Sequence, residues 1–199
     1  FLRRAVSSLD ERTPIFQLYL TIVRQNLRHI RASADCHQHA VRRAFLPAAL
    51  TTVIDRHRVV AAILDLHDKS IVAYALGQSN NNQLVFDTFD RAVRANPSAH
   101  PLFHSDRGYQ YTNRQFKAKL DGIHATQSMS RPGRCIDNGP MEGFWGILKS
   151  EMYYLQQFHT FEELKKAIDE YMDFYNTRRL QAKLKGLAPL AYRNQTLVA

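Results

Sequence analysis

Two apolar runs joined by a short polar turn constrain the fold of this chain more than any other feature. Residues 58–66 (RVVAAILDL) and 70–76 (SIVAYAL) are rich in β-branched and other apolar side chains, and Gly77 closes the second run. Runs of this length separated by three polar residues predict a β-hairpin with at least one buried face. A further strand is predicted just upstream, at 49–54 (ALTTVI).

Helical and strand patterns alternate after the hairpin. Apolar residues recur at helical spacing in three segments, and a capping box that begins at Thr160 predicts the start of a last helix. The predicted helices are 84–95, 112–120 and 140–153, and the predicted strands are 101–105 and 124–129. This alternation predicts an α/β domain in which helices flank a mixed sheet.

Composition excludes several classes of protein. Of the 199 residues, 45% are hydrophobic and 23% charged, which predicts a globular domain with a core. No apolar run approaches the roughly 18 residues of a membrane span, and the first residues do not resemble a secretory signal. Cys36 and Cys135 are too far apart in sequence to suggest a disulfide framework, so an intracellular, cytoplasmic setting is expected. The net charge of +9 favours a polyanionic partner such as nucleic acid.

Charge is distributed unevenly along the chain. Residues 1–60 contain ten arginines and no lysine, whereas residues 61–199 mix eight lysines with nine arginines. The arginine-rich part is open to three interpretations: a basic arm for phosphate backbones, a solvated helical face, or an out-of-frame translation. We therefore predict an unrecognised basic segment at 1–45, disordered or out of frame, and a folded core at 46–199.

Two carboxylates form the main candidate site. Asp106 follows the predicted strand 101–105, and Glu142 lies in the first turns of the predicted helix 140–153, with 35 residues between them. A carboxylate at the end of a buried strand is costly unless its charge is compensated, and a hard divalent cation does this well. Asn138, Glu142 and Lys149 are spaced to share one helix face, which is either a site face or a solvated face.

Three sequence blocks carry a family resemblance. They are HSDRGYQY (104–111), SMSRPGRCIDNGPMEGFWGILKSEMYYL (128–155) and DFYNTRRLQAKLKGLAPLAYR (173–193). In order and spacing these blocks resemble the catalytic core of insertion-sequence transposases of the OrfB type, which are related to retroviral integrases. The hairpin sequence is also similar, so the resemblance covers residues 59–194.

The resemblance implies a fold, an activity and a set of residues. The fold is RNase H-like, and an Asp, Asp, Glu triad holds two Mg²⁺ or Mn²⁺ ions for DNA cleavage and strand transfer in transposition. Asp106 matches the second Asp and Glu142 the Glu, both as metal ligands. DNA contacts are expected from six residues: Ser128, Arg131, Asn138, Lys149, Arg178 and Arg179. The implied partners are transposon ends, target DNA, further copies of the chain and a separate end-recognition module, in a bacterial cytoplasm near the nucleoid.

The first Asp of the triad has no clear match. In the family it lies in a W-x-T-D-x-T-like strand, but here the strand is 49–54 and Thr52 stands where the Asp is expected. Asp55 is a possible first carboxylate, although its register is displaced. Enzymatic activity is therefore left open, and the alternative function is a catalytically defective remnant that only binds DNA. Cys36, His37 and His39 lack the fourth ligand of a closed zinc site, so no zinc is expected.

Overall fold

The hairpin predicted from the two apolar runs forms two strands of a five-stranded sheet. A computed structural model describes residues 47–55, 58–131 and 138–198. Strand β1 spans Pro47–Asp55, β2 Arg58–Asp65 and β3 Ile71–Gly77, and neighbours in this series pair antiparallel. The predictions of a hairpin and of an upstream strand are confirmed.

Two short parallel strands complete the sheet. Strand β4 spans Leu102–Ser105 and β5 Thr126–Met129, and the sheet order is β3-β2-β1-β4-β5. Because β1 pairs parallel with β4 and β4 parallel with β5, the sheet is mixed, as predicted. The carboxyl end of β4, which Asp106 follows, therefore lies beside the central strand.

Helices cover both faces of the sheet. Among the described residues these are α1 (Asn82–Ala95), α2 (Tyr109–Thr112), α3 (Arg114–Gly122), α4 (Gly139–Glu151), α5 (Phe161–Thr177) and α6 (Pro189–Val198). On one face Val60, Ala62 and Leu64 of β2 pack against α4 and α5. On the other face Ile63 of β2 and Phe103 of β4 pack against α1 and α3. The predicted α/β arrangement is confirmed.

Two helix predictions need correction. The helix expected at 112–120 begins later, because Asn113 interrupts it: its backbone is extended, and its side-chain Oδ1 accepts the N–H of Phe116 as the N-cap of α3. The helix with the capping box at Thr160 is present as α5, but it is not the last one. Helix α6 follows, and it begins at Pro189, a residue that suits a first helical turn.

The outer edge of β3 is hydrogen-bonded by side chains. Asn176 of α5 donates to the carbonyl of Ile71 at 2.9 Å and accepts the N–H of Ile71 at 2.8 Å. Arg91 of α1 donates to the carbonyl of Tyr74 at 2.9 Å. Edge strands expose unpaired backbone groups, and these contacts occupy three of them.

A buried ionic cluster joins α6 to the turn between β2 and β3. Arg193 donates to the carboxylates of Asp65 and Asp68 and to the hydroxyl of Ser70, the last at 2.7 Å. Both aspartates are almost fully buried. Burial, the strongest influence, raises the pKa of the Asp65 carboxyl, and Arg193 acts in the opposite direction. The cluster therefore depends on the guanidinium to compensate two buried charges.

The remaining predictions concern the chain ends and membranes. The basic segment predicted at 1–45 lies outside the described residues, so that domain boundary stays a prediction. Within the described ranges, no helix is both long and apolar enough to cross a membrane.

Candidate active site

Asp106 lies at the carboxyl end of β4, on the side of the sheet that α4 covers. Leu64 and His104 both pair with position 48 of β1, so they share one face of the sheet. Leu64 is buried against α4 and α5 on that face. Asp106 follows His104 by two residues, and strand alternation assigns it to the same side. The carboxylate is half-buried.

The loop after Asp106 is tied down by its own backbone and by neighbouring loops. The N–H of Gly108 donates to Asp106 Oδ1 at 2.9 Å, while Oδ2 has no hydrogen bond to any residue that the structure describes. Gln110 Nε2 donates to Asn80 Oδ1 at 2.5 Å, and the Tyr109 hydroxyl donates to the Asn80 carbonyl. The sequence pattern does not predict the role of Asn80, because it lies 30 residues before its partner in another loop.

Burial raises the pKa of the neighbouring Tyr111 phenol, and the negative charge of Asp106 raises it further. The fully buried ring packs with Phe116 in the core between the sheet and helices α1 and α3. Tyr111 therefore keeps its proton at physiological pH, and it anchors the loop by packing.

Glu142 lies in the first turn of α4 and is exposed. The apolar stripe predicted for this helix is confirmed: Met141, Phe144, Trp145 and Leu148 are buried. At 100° per residue Glu142 flanks this stripe next to Trp145, instead of lying opposite to it as the sequence spacing suggested. The helix therefore packs against the sheet while its first turn presents a carboxylate to solvent.

The burial of Asn138 differs from the prediction that it shares a polar helix face with Glu142. It occupies the N-cap position of α4, but its side chain makes no capping hydrogen bond, and the residue is 3% exposed. A side chain that is this buried does not lie on a solvent-exposed face of the helix. Because Asn138 is buried, the structure does not support the predicted contact between Asn138 and DNA.

His104 of β4 contacts the end of β5 and the residue that follows it. Its Nδ1 lies 3.0 Å from the Ser128 hydroxyl, and its Nε2 lies 3.3 Å from the Ser130 hydroxyl. Arg107 Nε donates to the Ser130 carbonyl at 2.9 Å. Two residues of this segment are predicted to contact DNA: Ser128, which is half-buried and contacts His104, and Arg131, which is half-exposed.

Asp55 is distant from Asp106 along the sheet. Ala49 is in register with Ser105, so Asp106 lies one residue beyond this level and Asp55 lies six residues beyond it. Five residues of strand correspond to roughly 16 Å. This separation does not support a cation shared by Asp55 and Asp106, and Asp55 as a ligand stays a prediction. Thr52 is half-buried and pairs with Val60.

In the part of the chain that the structure describes, no group of three His, Cys, Asp or Glu side chains could hold a metal. Asp106, with a half-buried carboxylate, and Glu142, with an exposed one, stay the predicted ligands. Carboxylate oxygens suit Mg²⁺, which is commonly held by one or two carboxylates together with water and substrate phosphates. Two carboxylates fit one such ion, and the two ions predicted from the sequence would need a further ligand.

The two adjacent arginines at the end of α5 have different surroundings. Arg179 donates two hydrogen bonds to Glu151 of α4, and the Tyr171 hydroxyl donates to the same carboxylate at 2.9 Å. The hydrogen bonds from Arg179, followed by that from Tyr171, hold the pKa of Glu151 below its usual range despite partial burial. Arg178 is exposed, with its guanidinium 3.2 Å from Asp173 and 5.6 Å from the centre of the Phe174 ring. Arg178 is therefore the freer of the two for a phosphate.

Two family models, both described as the integrase core domain, match residues 50–135 and 142–197. The matched segments contain the five strands from position 50 onward and the helices that carry the site. The chain belongs to the integrase core domain family. The resemblance drawn from the sequence blocks is thereby confirmed.

Relatives of this integrase core domain are bacterial transposase proteins. The putative transposase InsK for insertion sequence element IS150 of Escherichia coli is 42% identical over 142 residues, 71% of this chain and 50% of InsK. An uncharacterized transposase-like protein of Haemophilus influenzae is 44% identical over 138 residues, 69% of this chain and 64% of that protein. This integrase core chain thus spans only about half to two thirds of their length.

Solved structures confirm the fold of this integrase core domain. The HTLV-2 integrase catalytic core domain in complex with magnesium, in a dimeric form, aligns with a TM-score of 0.59 at 13% identity, over 76% of this chain and 97% of that one. A chain of the simian T-cell lymphotropic virus intasome aligns with a TM-score of 0.59 at 12% identity, over 73% of this chain and 53% of that one. The RNase H-like fold predicted from the sequence is therefore confirmed.

Proposed function

We propose that this chain is the catalytic core of an insertion-sequence transposase, which cleaves DNA phosphodiesters and transfers the cut strands in transposition. The observation that carries the proposal is the common side of Asp106 and α4: the face of the sheet on which Asp106 emerges is covered by the helix that presents Glu142. The family and its transposase relatives support the same activity.

Asp106 and Glu142 are the proposed ligands of Mg²⁺ or Mn²⁺. Asp106 Oδ2 has no hydrogen bond among the described residues, and Glu142 is exposed, so both carboxylates are available to a cation. A divalent cation at such a site polarises a phosphodiester and makes a bound water or hydroxyl a better nucleophile. A second ion is proposed only together with a first-strand carboxylate, for which β1 offers Asp55 alone among its nine residues.

Phosphate binding is assigned mainly to positively charged side chains of this domain. Lys149 lies seven residues after Glu142, two turns along α4, and is half-buried without an ion pair to any described residue. Arg131, Ser128 and Arg178 are proposed as further DNA contacts. The net charge of +9 supports binding to a polyanion.

The proposed partners are DNA and other proteins of the same machinery. The substrates are transposon ends and target DNA, in the bacterial cytoplasm at the nucleoid. Joining two ends requires more than one active site, so we propose a homo-oligomer at work. A separate end-recognition module, which the resemblance to transposases implies, is also proposed.

A strand-transfer assay on oligonucleotides that carry the ends of the element tests the function. The chain is incubated with labelled end duplexes and target plasmid in Mg²⁺ or Mn²⁺, and joined products are counted. Asp106→Asn and Glu142→Gln should each abolish joining while DNA binding persists. Glu170→Gln is the matched control, since Glu170 is exposed on α5 in an ion pair with Lys166.

Two outcomes would contradict the proposal. Joining that is unaffected by Glu142→Gln would remove this residue from the site. DNA binding without any cation-dependent cleavage or joining would identify the chain as the DNA-binding remnant.

A further inference from the structure

We propose that Asn80 and Gln110 act as a positioning pair that holds the Asp106 carboxylate in one orientation. Neither residue touches the proposed cation, and the inference rests on the proposed role of Asp106 as a ligand. It adds a specific pair of amides, in two separate loops, to the machinery of the site.

The two carboxylate oxygens of Asp106 have different surroundings. Oδ1 accepts the N–H of Gly108 at 2.9 Å, and this bond fixes the rotation of the carboxylate. Oδ2 is left without a hydrogen bond from any described residue, so its lone pairs are available to a cation. The orientation of the carboxylate therefore depends on where the Gly108 N–H lies.

Gln110 lies in the same turn as Gly108. A β-carbon placed on Gly108 would lie 3.0 Å from Asp106 Oδ1 and 3.0 Å from Gln110 Oε1, so both side-chain oxygens lie close to this backbone position. Gln110 follows Gly108 by two residues, and the Gly108 carbonyl accepts the N–H of Tyr111 at 2.9 Å. An anchor on the Gln110 side chain therefore restrains the turn that places the Gly108 N–H against the carboxylate.

Asn80 is the anchor that holds Gln110. Its side chain is buried, and Nε2 donates to Asn80 Oδ1 at 2.5 Å. The Tyr109 hydroxyl also donates to the Asn80 carbonyl. Asn80 lies in a closed turn, where the Asn81 N–H donates to the Ser79 carbonyl, and Asn81 caps α1. The pair thereby connects the Asp106 loop to the start of a packed helix.

Glycine-selective NMR measures the chemical shift of the Gly108 amide in this loop, in the absence of metal and DNA. The chain has eight glycines, so ¹⁵N-glycine labelling gives a simple spectrum, and Gly108→Ala identifies the Gly108 signal. Asn80→Leu and Gln110→Leu should shift this signal toward its position in Asp106→Asn, which lacks the carboxylate. Asn80→Asp keeps an acceptor for Gln110 Nε2 and should restore the wild-type position.

Titration with Mn²⁺ measures how the loss of either amide changes the affinity of the site for the cation. Each leucine variant should lose about 10-fold or more in affinity, as is typical when a partner that orients a metal ligand is removed. The double variant should lose no more than either single one, because both act through the same contact. Gln83→Leu is the matched control, since Gln83 is an exposed amide nearby that bonds to Asp87. Circular dichroism checks that each variant is folded.

The outcomes separate this inference from the proposed function. A Gly108 signal and a Mn²⁺ affinity that stay unchanged in both leucine variants would overturn the positioning pair alone. A wild-type chain that binds no Mn²⁺, or binds it equally well after Glu142→Gln, would overturn the proposed function. In that case the Gly108 signal still decides whether Asn80 and Gln110 fix the carboxylate.

Discussion

Arg179 and Glu151 form a two-point ion pair, with Nε 2.8 Å from Oε2 and Nη2 2.6 Å from Oε1, that joins the end of α5 to the end of α4. The Tyr171 hydroxyl completes the set of donors to the same carboxylate. Glu151 lies in the block 128–155 and Arg179 in the block 173–193, the two blocks that resemble those of insertion-sequence transposases. In this structure Glu151 and Arg179 hold the helix of Glu142 against its neighbour.

Replacing Arg179 by Met should lower the free energy of unfolding by about 1–2 kcal/mol, because the two charge-assisted hydrogen bonds to the partly exposed Glu151 carboxylate are lost. Replacing Arg178 by Met should change stability by less than about 0.5 kcal/mol, since its ion pair with Asp173 is 65% exposed on both sides. Urea denaturation measures both. DNA-binding assays should show the reverse order, with the larger loss for Arg178. Equal effects of the two substitutions on stability would contradict this division of roles.

Replacing Arg193 by Met should destabilise the domain by about 3–5 kcal/mol, because Asp65 and Asp68 would remain buried without a cation. Asn194→Ala, one residue further and exposed, is the matched control. A loss below about 1 kcal/mol would mean that α6 detaches and lets water reach the carboxylates.

The same variant should depend on pH in a defined direction. Burial already raises the pKa of Asp65 above its ordinary value of 3.8, and Arg193 opposes this rise. Without Arg193 the pKa in the folded state should rise further. A folded-state pKa above the unfolded one favours the protonated folded form, so stability is gained as the pH falls through it. Arg193→Met should therefore recover part of its lost stability between pH 7 and pH 5, and urea denaturation at each pH measures this.

Replacing Gly108 by Ala should weaken Mn²⁺ binding about 10-fold, since the new β-carbon presses on the Asp106 carboxylate. The backbone at Gly108, with φ −55° and ψ 147°, accepts alanine, so the fold should be retained. Gly146→Ala is the matched control: it lies in α4 with no atom within 4 Å of the added carbon, and it should stabilise the helix by about 0.5–1 kcal/mol. Titration calorimetry measures the Mn²⁺ affinity of both variants, and thermal unfolding measures their stability. Unchanged Mn²⁺ affinity in Gly108→Ala would contradict the expected clash between the β-carbon and the Asp106 carboxylate.

Replacing Lys149 by Gln should weaken binding to DNA of any sequence and reduce the slope of log affinity against log salt concentration by about 1. Lys166→Gln is the control, since Lys166 is 79% exposed on α5 and its 3.9 Å approach to Glu170 is the long contact of a surface pair. Fluorescence anisotropy at several salt concentrations measures the slope. An equal slope for wild type and Lys149→Gln would exclude a phosphate contact.

Local patterns predicted the elements well and the long-range side-chain partners poorly. The hairpin, α1, α4 and the capping box at Thr160 depend on residues within a few positions of one another, so their periodicity is visible in the sequence. The interruption at Asn113 depends on a single capping side chain within an otherwise helical pattern.

The candidate site shows the same limit. The order of the blocks identifies Asp106 and Glu142, but it does not distinguish Arg178 from Arg179, because the partner of Arg179 lies 28 residues earlier. Spacing alone also assigned Asn138 to a polar face, whereas tertiary packing buries it. Helical periodicity gives an angle around the helix axis, and burial at the end of a helix depends on the loop and the sheet beneath it.

The side-chain hydrogen bonds along the rim of β3 bear on how copies of this domain can meet. A strand from a second molecule would have to displace Asn176 at Ile71 and Arg91 at Tyr74 before it could extend the sheet. Intermolecular extension of the sheet, which leads to aggregation, is thus disfavoured at the outer edge of β3. In the proposed oligomer, copies that meet on this side of the domain would then do so through helices and loops, and each copy would keep its own sheet closed at β3.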